Sequence, residues 1–559
     1  MAETPAQSEG FGDFIVQYDP EIRRLAEGIP GGSFYPINEL YGVVYVPLEG
    51  LDELPVNSYA YGSIPKCYAP MDLESLNASG ISSILNQPYL ELSGAGTLIA
   101  FLDSGIDYQN PLFRRENRSR ILGIWDQTLE GGEGEPVPYG RFFEQEELDR
   151  ALACADPAAA VPTSDASGHG TMLAALACGS TCLEEGFSGA APQASLLVVK
   201  IKPAKQYLRR FFLFPPEAEL YQEDDLMTAL SFCVDYARDR GMPLSVCLGI
   251  GSSQGAHLGR NPLSNYVDHV ADFSKISVSC AGGNEGAARH HYLGQLDERS
   301  DMAAAELRVG EGEGGFTMEF WGEPPENYSL SIQTPTGEIL EVSSSLGAVT
   351  QQLSFVFVKT QVLANYVAIE RQTGNTLVFF RFLEPAPGIW RILVRGREGK
   401  RASFHMWLPV TGLISEGTYF LEASPYNTVT APGDSRKGIT ATAYQYRDNS
   451  LYLAASRGFM PDGGITPRLA APGVGIRVPL PTGDYGSASG TSLSAAQAAG
   501  AAALLFQWAV IQGNQPYFNG SSVKNYLERG AVRDRGLSYP NPDWGYGRMD
   551  LYNTFRLLT

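Results

Sequence analysis

The sequence predicts an α/β fold in which helices flank a parallel sheet, with a small α/β unit before it and an inserted β-sandwich. Two patterns carry this prediction. Apolar runs alternate with amphipathic stretches from about residue 90, and strand follows strand without helical periodicity between residues 301 and 409. The chain has 559 residues, of which 44% are hydrophobic and 18% charged, so it can bury a large core.

The first 66 residues, called the leader below, predict the small α/β unit. Phe14–Tyr18 and Gly42–Val46 have the composition of strands, and Asp19–Glu27 is expected to form a short helix. The stretch Asn57–Pro70 is rich in turn-forming residues and predicts an exposed linker to the main domain.

Four continuous apolar runs predict the parallel sheet. They are Thr97–Leu102, Ser195–Lys200, Pro243–Leu248 and Ile276–Cys280. The amphipathic segment Asp224–Arg240 lies between two of them, with acidic residues to cap its start and Gly241 to end it. Because strands buried on both faces and separated by helices form parallel sheets, we assign residues 67–300 and 410–559 to one α/β domain.

Residues 301–409 predict a jelly-roll-like sandwich inserted into a loop of that domain, since α/β character resumes after it. Its seven predicted strands are Gly315–Trp321, Tyr328–Gln333, Leu353–Val358, Tyr366–Glu370, Thr376–Phe382, Gly388–Val394 and Ala402–Leu408.

The net charge of the chain and the composition of its N-terminal residues limit the binding partners and the location that we expect. The chain has 62 acidic and 41 basic residues and a net charge of −21, which disfavours nucleic acid and anionic membranes as partners. Its start has no basic region followed by an apolar run, so we expect no secretory signal and a cytoplasmic protein. The run Leu493–Val510 is long enough to span a membrane, but its alanine content favours a buried helix.

The cysteines and histidines indicate no metal site. Seven cysteines at irregular spacing are a poor disulfide framework and suggest a reducing compartment. Cys178 and Cys182 lack a second ligand pair nearby, and the adjacent side chains of His290 and His291 are badly placed to chelate one ion together. We predict no required cofactor.

Four polar residues in glycine-containing motifs are candidate functional groups. Asp103 ends an apolar strand in LDSGID, and His169 precedes an alanine- and leucine-rich helix in SGHGT. Asn284 lies in AGGNEG, and Ser492 lies in SGTSLSAA at the start of a predicted helix. Each could have an ordinary structural role: a turn, a buried histidine or a helix N-cap. A serine at a helix N-terminus, however, can also act as a nucleophile in a field that stabilises negative charge.

The order of these motifs closely resembles that of the subtilisin-like serine proteases, or subtilases, over roughly residues 75–545. The matching stretches are LIAFLDSGID, GHGT, AGGNEG, SGTSLSAA and the closing WGYGRMD. The sequence departs from the family after the serine, where Leu493-Ser494 replace Met-Ala and Ala496 replaces proline. Alanine favours helix, so we expect the helix to form regardless.

The resemblance implies a catalytic triad. Ser492 would be the nucleophile, His169 the general base, and Asp103 the group that orients the imidazole. The Asn284 side chain and the backbone N–H of Ser492 would form the oxyanion hole.

It also implies a substrate site. Val246, Cys247, Leu248 and Gly249 resemble the segment that pairs with an extended protein or peptide substrate. Structural calcium is common in the family, although no loop for it is identifiable in this sequence.

The whole layout most resembles the Csp-type germination proteases of anaerobic spore-forming bacteria. This resemblance implies that the leader is an intramolecular chaperone and inhibitor that the enzyme cuts by itself. We expect the cut near Lys66, Cys67 and Tyr68. It also implies a zymogen substrate, such as a spore cortex hydrolase. The location of the protein stays open between cytoplasmic and spore-associated. Two alternatives stay open: an inactive protein of the same fold that acts as a scaffold, and a carbohydrate- or partner-binding role for the β insertion.

Overall fold

A computed structural model describes the chain over most of its length. The described residues are 4–48, 61–70 and 77–558, apart from positions 86, 88, 117, 132–135, 183, 298–299, 345–349, 397–399 and 482.

The leader forms a three-stranded antiparallel sheet with one helix. Its strands are Phe11–Gln17, Ser33–Pro36 and Tyr41–Pro47, with Tyr41–Pro47 in the centre. The helix Pro20–Glu27 begins where the Asp19 side chain accepts a hydrogen bond from the backbone N–H of Glu21 at 2.8 Å. The sequence therefore predicts two of the three strands and the helix to within a few residues.

A nine-stranded sheet forms the centre of the main domain, and most of its pairings are parallel. Its strands in spatial order are Ser450–Leu451, Ile439–Gln445, Ile276–Ala281, Leu244–Leu248, Leu98–Asp103, Ser195–Lys200, Ile121–Asp126 and Arg141–Glu144, with Leu469–Pro472 also paired to Ile439–Gln445. The four predicted apolar runs are four of the inner strands, where side chains on both faces are buried.

Helices cover both faces of this sheet. The described α-helices of the main domain, not all of which contact the sheet, are Ile81–Leu85, Gln145–Leu152, Pro157–Ala160, His169–Cys178, Gln206–Phe212, Glu223–Asp239, Pro262–Val270, Thr491–Phe506, Gly520–Gly530 and Leu551–Arg556. His169–Cys178 and Thr491–Phe506 pack on one face. Glu223–Asp239 packs on the other, and the leader adds Ile15 and Val43 to the same apolar cluster. Docking the leader therefore buries apolar surface of both units.

The insertion is a sandwich of two antiparallel sheets. One contains His291–Leu296, Ala402–Trp407, Gly315–Gly322, Thr376–Leu383, Gln361–Val367 and Gln351–Ser354; the other contains Ile339–Val342, Ser329–Gln333, Gly388–Arg395, Met302–Val309 and Tyr419–Phe420. The inner faces form one apolar core. The predicted α/β fold with a mostly parallel sheet and an inserted β domain is thus confirmed.

Several details of the predicted sandwich differ from the structure. The strand expected over Tyr366–Glu370 is Gln361–Val367, and the strands Met302–Val309 and Ile339–Val342 were not predicted. Its sheets begin at His291 and end at Phe420, so they extend past both predicted limits. The strand expected over Leu353–Val358 is displaced towards the N-terminus, because Val356 and Phe357 are 81% and 73% exposed in the loop that follows Gln351–Ser354.

Candidate active site

The candidate carboxylate lies where a central strand ends. All six residues of Leu98–Asp103 are buried, and Asp103 is the last of them. Because the neighbouring strands are parallel, their carboxyl ends meet at one edge of the sheet, which is where ligands bind in such folds. The side chain of Asp103 accepts a hydrogen bond from the backbone N–H of Ser104 at 2.8 Å, which fixes its orientation.

The candidate histidine is the first residue of the helix His169–Cys178. Gly168 precedes it with φ of 77°, a left-handed conformation that glycine adopts without strain. The turn changes the direction of the chain, so that the His169 ring faces the edge of the sheet at which Asp103 lies.

Asp165 holds this turn, and the sequence analysis did not identify it. Its carboxylate accepts hydrogen bonds from Ser104 Oγ at 2.8 Å, from the backbone N–H of Gly168 at 2.9 Å and from that of Thr171 at 2.8 Å. It thereby ties the loop after the Asp103 strand to the first turn of the helix that carries His169. An acidic residue four positions before the histidine was the available signal, since carboxylates favour helix N-termini.

The candidate serine lies in the first turn of the helix Thr491–Phe506, every residue of which is buried. A helix N-terminus has backbone N–H groups without intrahelical partners and the positive end of the helix dipole. Ser492 Oγ therefore lies where developing negative charge is stabilised.

These three elements bring the candidate residues together. The Nδ1 of His169 is 2.6 Å from Asp103 Oδ1, and its Nε2 is 3.3 Å from Ser492 Oγ. Asp103 and His169 are 1% and 7% exposed on their side chains. With Nδ1 bonded to a carboxylate, the neutral ring carries its proton there, and Nε2 faces the serine as an acceptor.

The candidate amide also lies at the start of the serine helix. Asn284 Oδ1 accepts a hydrogen bond from the backbone N–H of Thr491 at 3.2 Å, and the neighbouring Gly283 N–H donates to Thr491 Oγ1 at 3.0 Å. With its carbonyl oxygen engaged in this way, Asn284 is held next to Ser492 and its NH₂ group is the end of the side chain that can donate.

A strand that directly follows the leader occupies the cleft beside these residues. The strand Cys67–Pro70 pairs antiparallel with Tyr221–Gln222 on one side and Ile250–Gly251 on the other. Burial, and then the negative charge of Asp103, raise the pKa of Tyr221, so its phenol stays protonated in this wall of the cleft.

The structure corrects the predicted exposed linker. Lys66 and Cys67 are 1% and 0% exposed, and Cys67 to Pro70, including Tyr68, form a strand with neighbours on both sides. The prediction of an exposed linker at these residues is wrong because their backbone is already paired within the cleft.

The substrate-pairing segment is also corrected. Val246 and Cys247 belong to a strand with hydrogen-bonded neighbours on both sides, so neither has an open edge for a substrate; Leu248 ends the same strand. The edge is instead offered by Ile250–Gly251. Gly249 lies between them, where an added Cβ would be 3.2 Å from both His169 Cε1 and Ser492 Cβ.

The other candidates have structural partners. His290 Nδ1 lies 2.6 Å from Glu285 Oε2, while His291 Nε2 lies 2.9 Å from His405 Nδ1, so the two adjacent rings point to different partners. In the part of the chain that the structure describes, no group of three or more His, Cys, Asp and Glu side chains could hold a metal. One described helix, Thr491–Ile511, is long and apolar enough to cross a membrane, and most of it is buried within the domain.

This chain is similar to known subtilases in both sequence and structure. The profile of the subtilase family, Peptidase_S8, matches residues 94–211 and 414–547, on the two sides of the insertion. The CspB protease of Clostridium perfringens has a similar structure, with a TM-score of 0.76 and 31% identity over 86% of this chain and 96% of CspB. Pyrolysin of Pyrococcus furiosus is 32% identical over 120 residues, a match that covers 20% of this chain and only 8% of pyrolysin.

The chain belongs to the subtilase family of subtilisin-like serine proteases. Within that family it is of the Csp type, as its similarity to CspB over nearly the whole of that protein shows. The resemblance deduced from the sequence motifs is confirmed.

Proposed function

We propose that this protein is an active serine endopeptidase that cleaves peptide bonds through an acyl-enzyme intermediate. The observation that supports it best is the position of the His169 ring, with one nitrogen 2.6 Å from Asp103 and the other 3.3 Å from Ser492. A nucleophile, a base and a group that orients the base are the parts that this reaction needs.

In the proposed mechanism, His169 Nε2 takes the proton of Ser492 Oγ as this oxygen attacks the substrate carbonyl. Asp103 holds the ring in the required tautomer and stabilises the imidazolium that forms. The Nδ2 group of Asn284 and the backbone N–H of Ser492 donate to the oxyanion. His169 then protonates the leaving amine. In the second half of the reaction His169 takes a proton from the attacking water and returns it to Ser492 Oγ as the acyl group leaves.

We further propose that the first substrate is the leader and that the cut lies past Pro70. Ala69 pairs with Gly251 and Pro70 with Ile250, so the antiparallel strand runs towards Gly249, next to Ser492 and His169. The scissile bond is therefore assigned to residues 71–76, which lie outside the described part of the chain, and not to Lys66, Cys67 or Tyr68. A zymogen such as a spore cortex hydrolase stays the protein substrate predicted from the family resemblance.

The test compares the intact mass of the wild-type protein with that of Ser492→Ala. We expect the wild type to separate into a leader and a mature chain that begins between residues 72 and 77, while Ser492→Ala stays whole. Ser494→Ala, two residues along the same helix, is the matched control and should be cut. If the wild type also stays whole and a serine-directed phosphonate does not label Ser492, the protein is an inactive scaffold and the proposal fails.

A further inference from the structure

The segment before the cleft strand lies in a groove to which the β insertion contributes. Gly62 approaches the Gln372 side chain of the insertion so closely that a Cβ would collide with it. Ile64 is fully buried in an apolar cluster that joins Phe211 and Phe212 of the main domain to Trp321 of the insertion. This part of the leader is therefore held by both units.

Lys66 is fixed in this groove by its main chain. Its carbonyl oxygen accepts a hydrogen bond from the backbone N–H of Glu223 at 2.9 Å, and its N–H donates to Glu223 Oε2 at 3.2 Å. The next residue, Cys67, donates its N–H to Gln254 Oε1 at 2.9 Å. The groove is thus continuous with the cleft in which Cys67–Pro70 pairs.

The Lys66 side chain is buried, and acidic residues of both units are near enough to affect its charge. Its side-chain Nζ donates to the carbonyl oxygen of Ile64 at 2.5 Å. Burial lowers the pKa of this ammonium, and the carboxylates of Glu223, Glu319 and Glu370 counteract that effect. All three carboxylates are themselves buried. The three carboxylates therefore offset part of the cost of burying this ammonium, and a side chain without a positive charge would lose that compensation.

The two acidic residues of the insertion are held in place by other groups. Glu319 Oε2 accepts hydrogen bonds from Trp321 Nε1 and from the backbone N–H of Gly255, both at 2.9 Å. Glu370 Oε2 accepts from the backbone N–H of Gln372 at 3.0 Å and from Thr373 Oγ1 at 2.9 Å. These bonds come from groups other than Lys66, which favours a site whose carboxylates are already positioned when a substrate enters.

We propose that Glu223, Glu319 and Glu370 form an acidic distal subsite of the protease, which binds a lysine of the protein substrate upstream of the scissile bond. In the leader this lysine is Lys66, four residues before Pro70. The inference rests on the proposed function, and it names a substrate class: protein segments with a basic side chain at that distance from the last residue paired in the cleft. The insertion then contributes to substrate selection.

The first test does not depend on catalysis. In the full-length Ser492→Ala protein, amide hydrogen exchange of residues 62–70 is measured in a double-mutant cycle of Lys66→Met and Glu370→Gln. We expect Lys66→Met to speed exchange at least tenfold, Lys66→Arg to change it less than threefold, and the Met effect to shrink below threefold when Glu370 is neutralised. Glu341→Gln, on the exposed surface of the insertion, should leave the Met effect unchanged. Additive effects of Lys66→Met and Glu370→Gln would overturn the proposal.

The second test uses the self-processed wild-type protein and peptides of residues 61–80. Replacing the lysine at position 66 of the peptide by glutamine should lower kcat/KM about tenfold, mainly through KM, and equal values for the two peptides would overturn the inference. If neither peptide is cut and Ser492 is not labelled, the proposed protease function fails, while the exchange cycle still decides whether the acidic subsite exists.

Discussion

Lys205 of the main domain and Asp13 of the leader form a buried ion pair, with Nζ 2.6 Å from Oδ1 and side chains 2% and 0% exposed. Lys205 Nζ also donates to the carbonyl oxygen of Pro5 at 2.7 Å, and the backbone N–H of Asp13 donates to the Tyr207 hydroxyl at 2.8 Å. The leader is therefore bound to the main domain by a specific polar contact as well as by apolar packing.

Removing Asp13 should destabilise the docked leader strongly. Asp13→Ala leaves the Lys205 ammonium buried without its carboxylate, a change that costs about 3–5 kcal/mol in comparable pairs. Urea unfolding of the full-length Ser492→Ala protein, together with amide hydrogen exchange in the leader, measures the loss of stability. Glu21→Ala is the control, since its ion pair with Arg24 is exposed and should contribute less than about 1 kcal/mol. Equal effects of the two substitutions would contradict the role of the buried pair.

Release of the cut leader should be favoured by alkaline pH. Burial, then the charges of Asp13 and Asp225, raise the pKa of Asp224 well above its usual range, against the opposing effect of Lys202 and Lys205. Because this pKa is higher in the docked state than in a solvent-exposed one, docking is stabilised at low pH and weakens as the pH rises through the raised pKa.

The Asp224→Asn variant tests this dependence. The asparagine oxygen can still accept the hydrogen bond from Gln222 Nε2, but the side chain has no acidic proton to lose. Leader retention in size-exclusion chromatography should become nearly independent of pH in this variant. Asp239→Asn, at the exposed end of the same helix, should retain the wild-type profile. An unchanged profile in Asp224→Asn would show that another group titrates.

Losing the Asn284 amide should slow turnover without unfolding the protein. If its Nδ2 donates to the oxyanion, Asn284→Ala lowers kcat about 100- to 1,000-fold and leaves KM nearly unchanged. Peptide hydrolysis, or the half-life of self-cleavage, measures the effect. Asn265→Ala, which removes an exposed side-chain bond to the Arg260 carbonyl, should change neither constant. A loss of less than threefold in Asn284→Ala would exclude the proposed role.

Asp165 should be needed to position the histidine. Asp165→Ala removes the acceptor that joins Ser104 Oγ to donors at the start of the His169 helix, and misplacement of a catalytic group by about 1 Å can cost 100-fold in rate. We expect kcat to fall 10- to 100-fold with little change in KM. Asp156→Ala removes the cap of a short surface helix and should leave turnover intact. If the two variants have similar kcat and KM values, Asp165 stabilises the fold but does not position the histidine for catalysis.

Much of the fold and of the candidate triad follows from local sequence. The apolar run that ends in Asp103, the glycines around His169 and the apolar helix after Ser492 each define their own element, because burial on both faces and helix termini leave local patterns. The strand limits are less well predicted at 353–358, where the apolar Val356 and Phe357 lie in an exposed loop. Hydrophobicity alone does not distinguish a strand from such a loop.

The sequence by itself determined the protease family, the order of the candidate catalytic residues and the presence of an inserted sandwich, since each depends on contiguous motifs. Only the tertiary structure decided that Lys66 and Cys67 are buried, that Ile250–Gly251 and not Val246–Cys247 borders the cleft strand, and that Asp13 reaches Lys205, which is 192 residues away. The physical reason is that these features depend on which elements pack together. Such contacts join distant parts of the chain and leave no periodic signal in either partner.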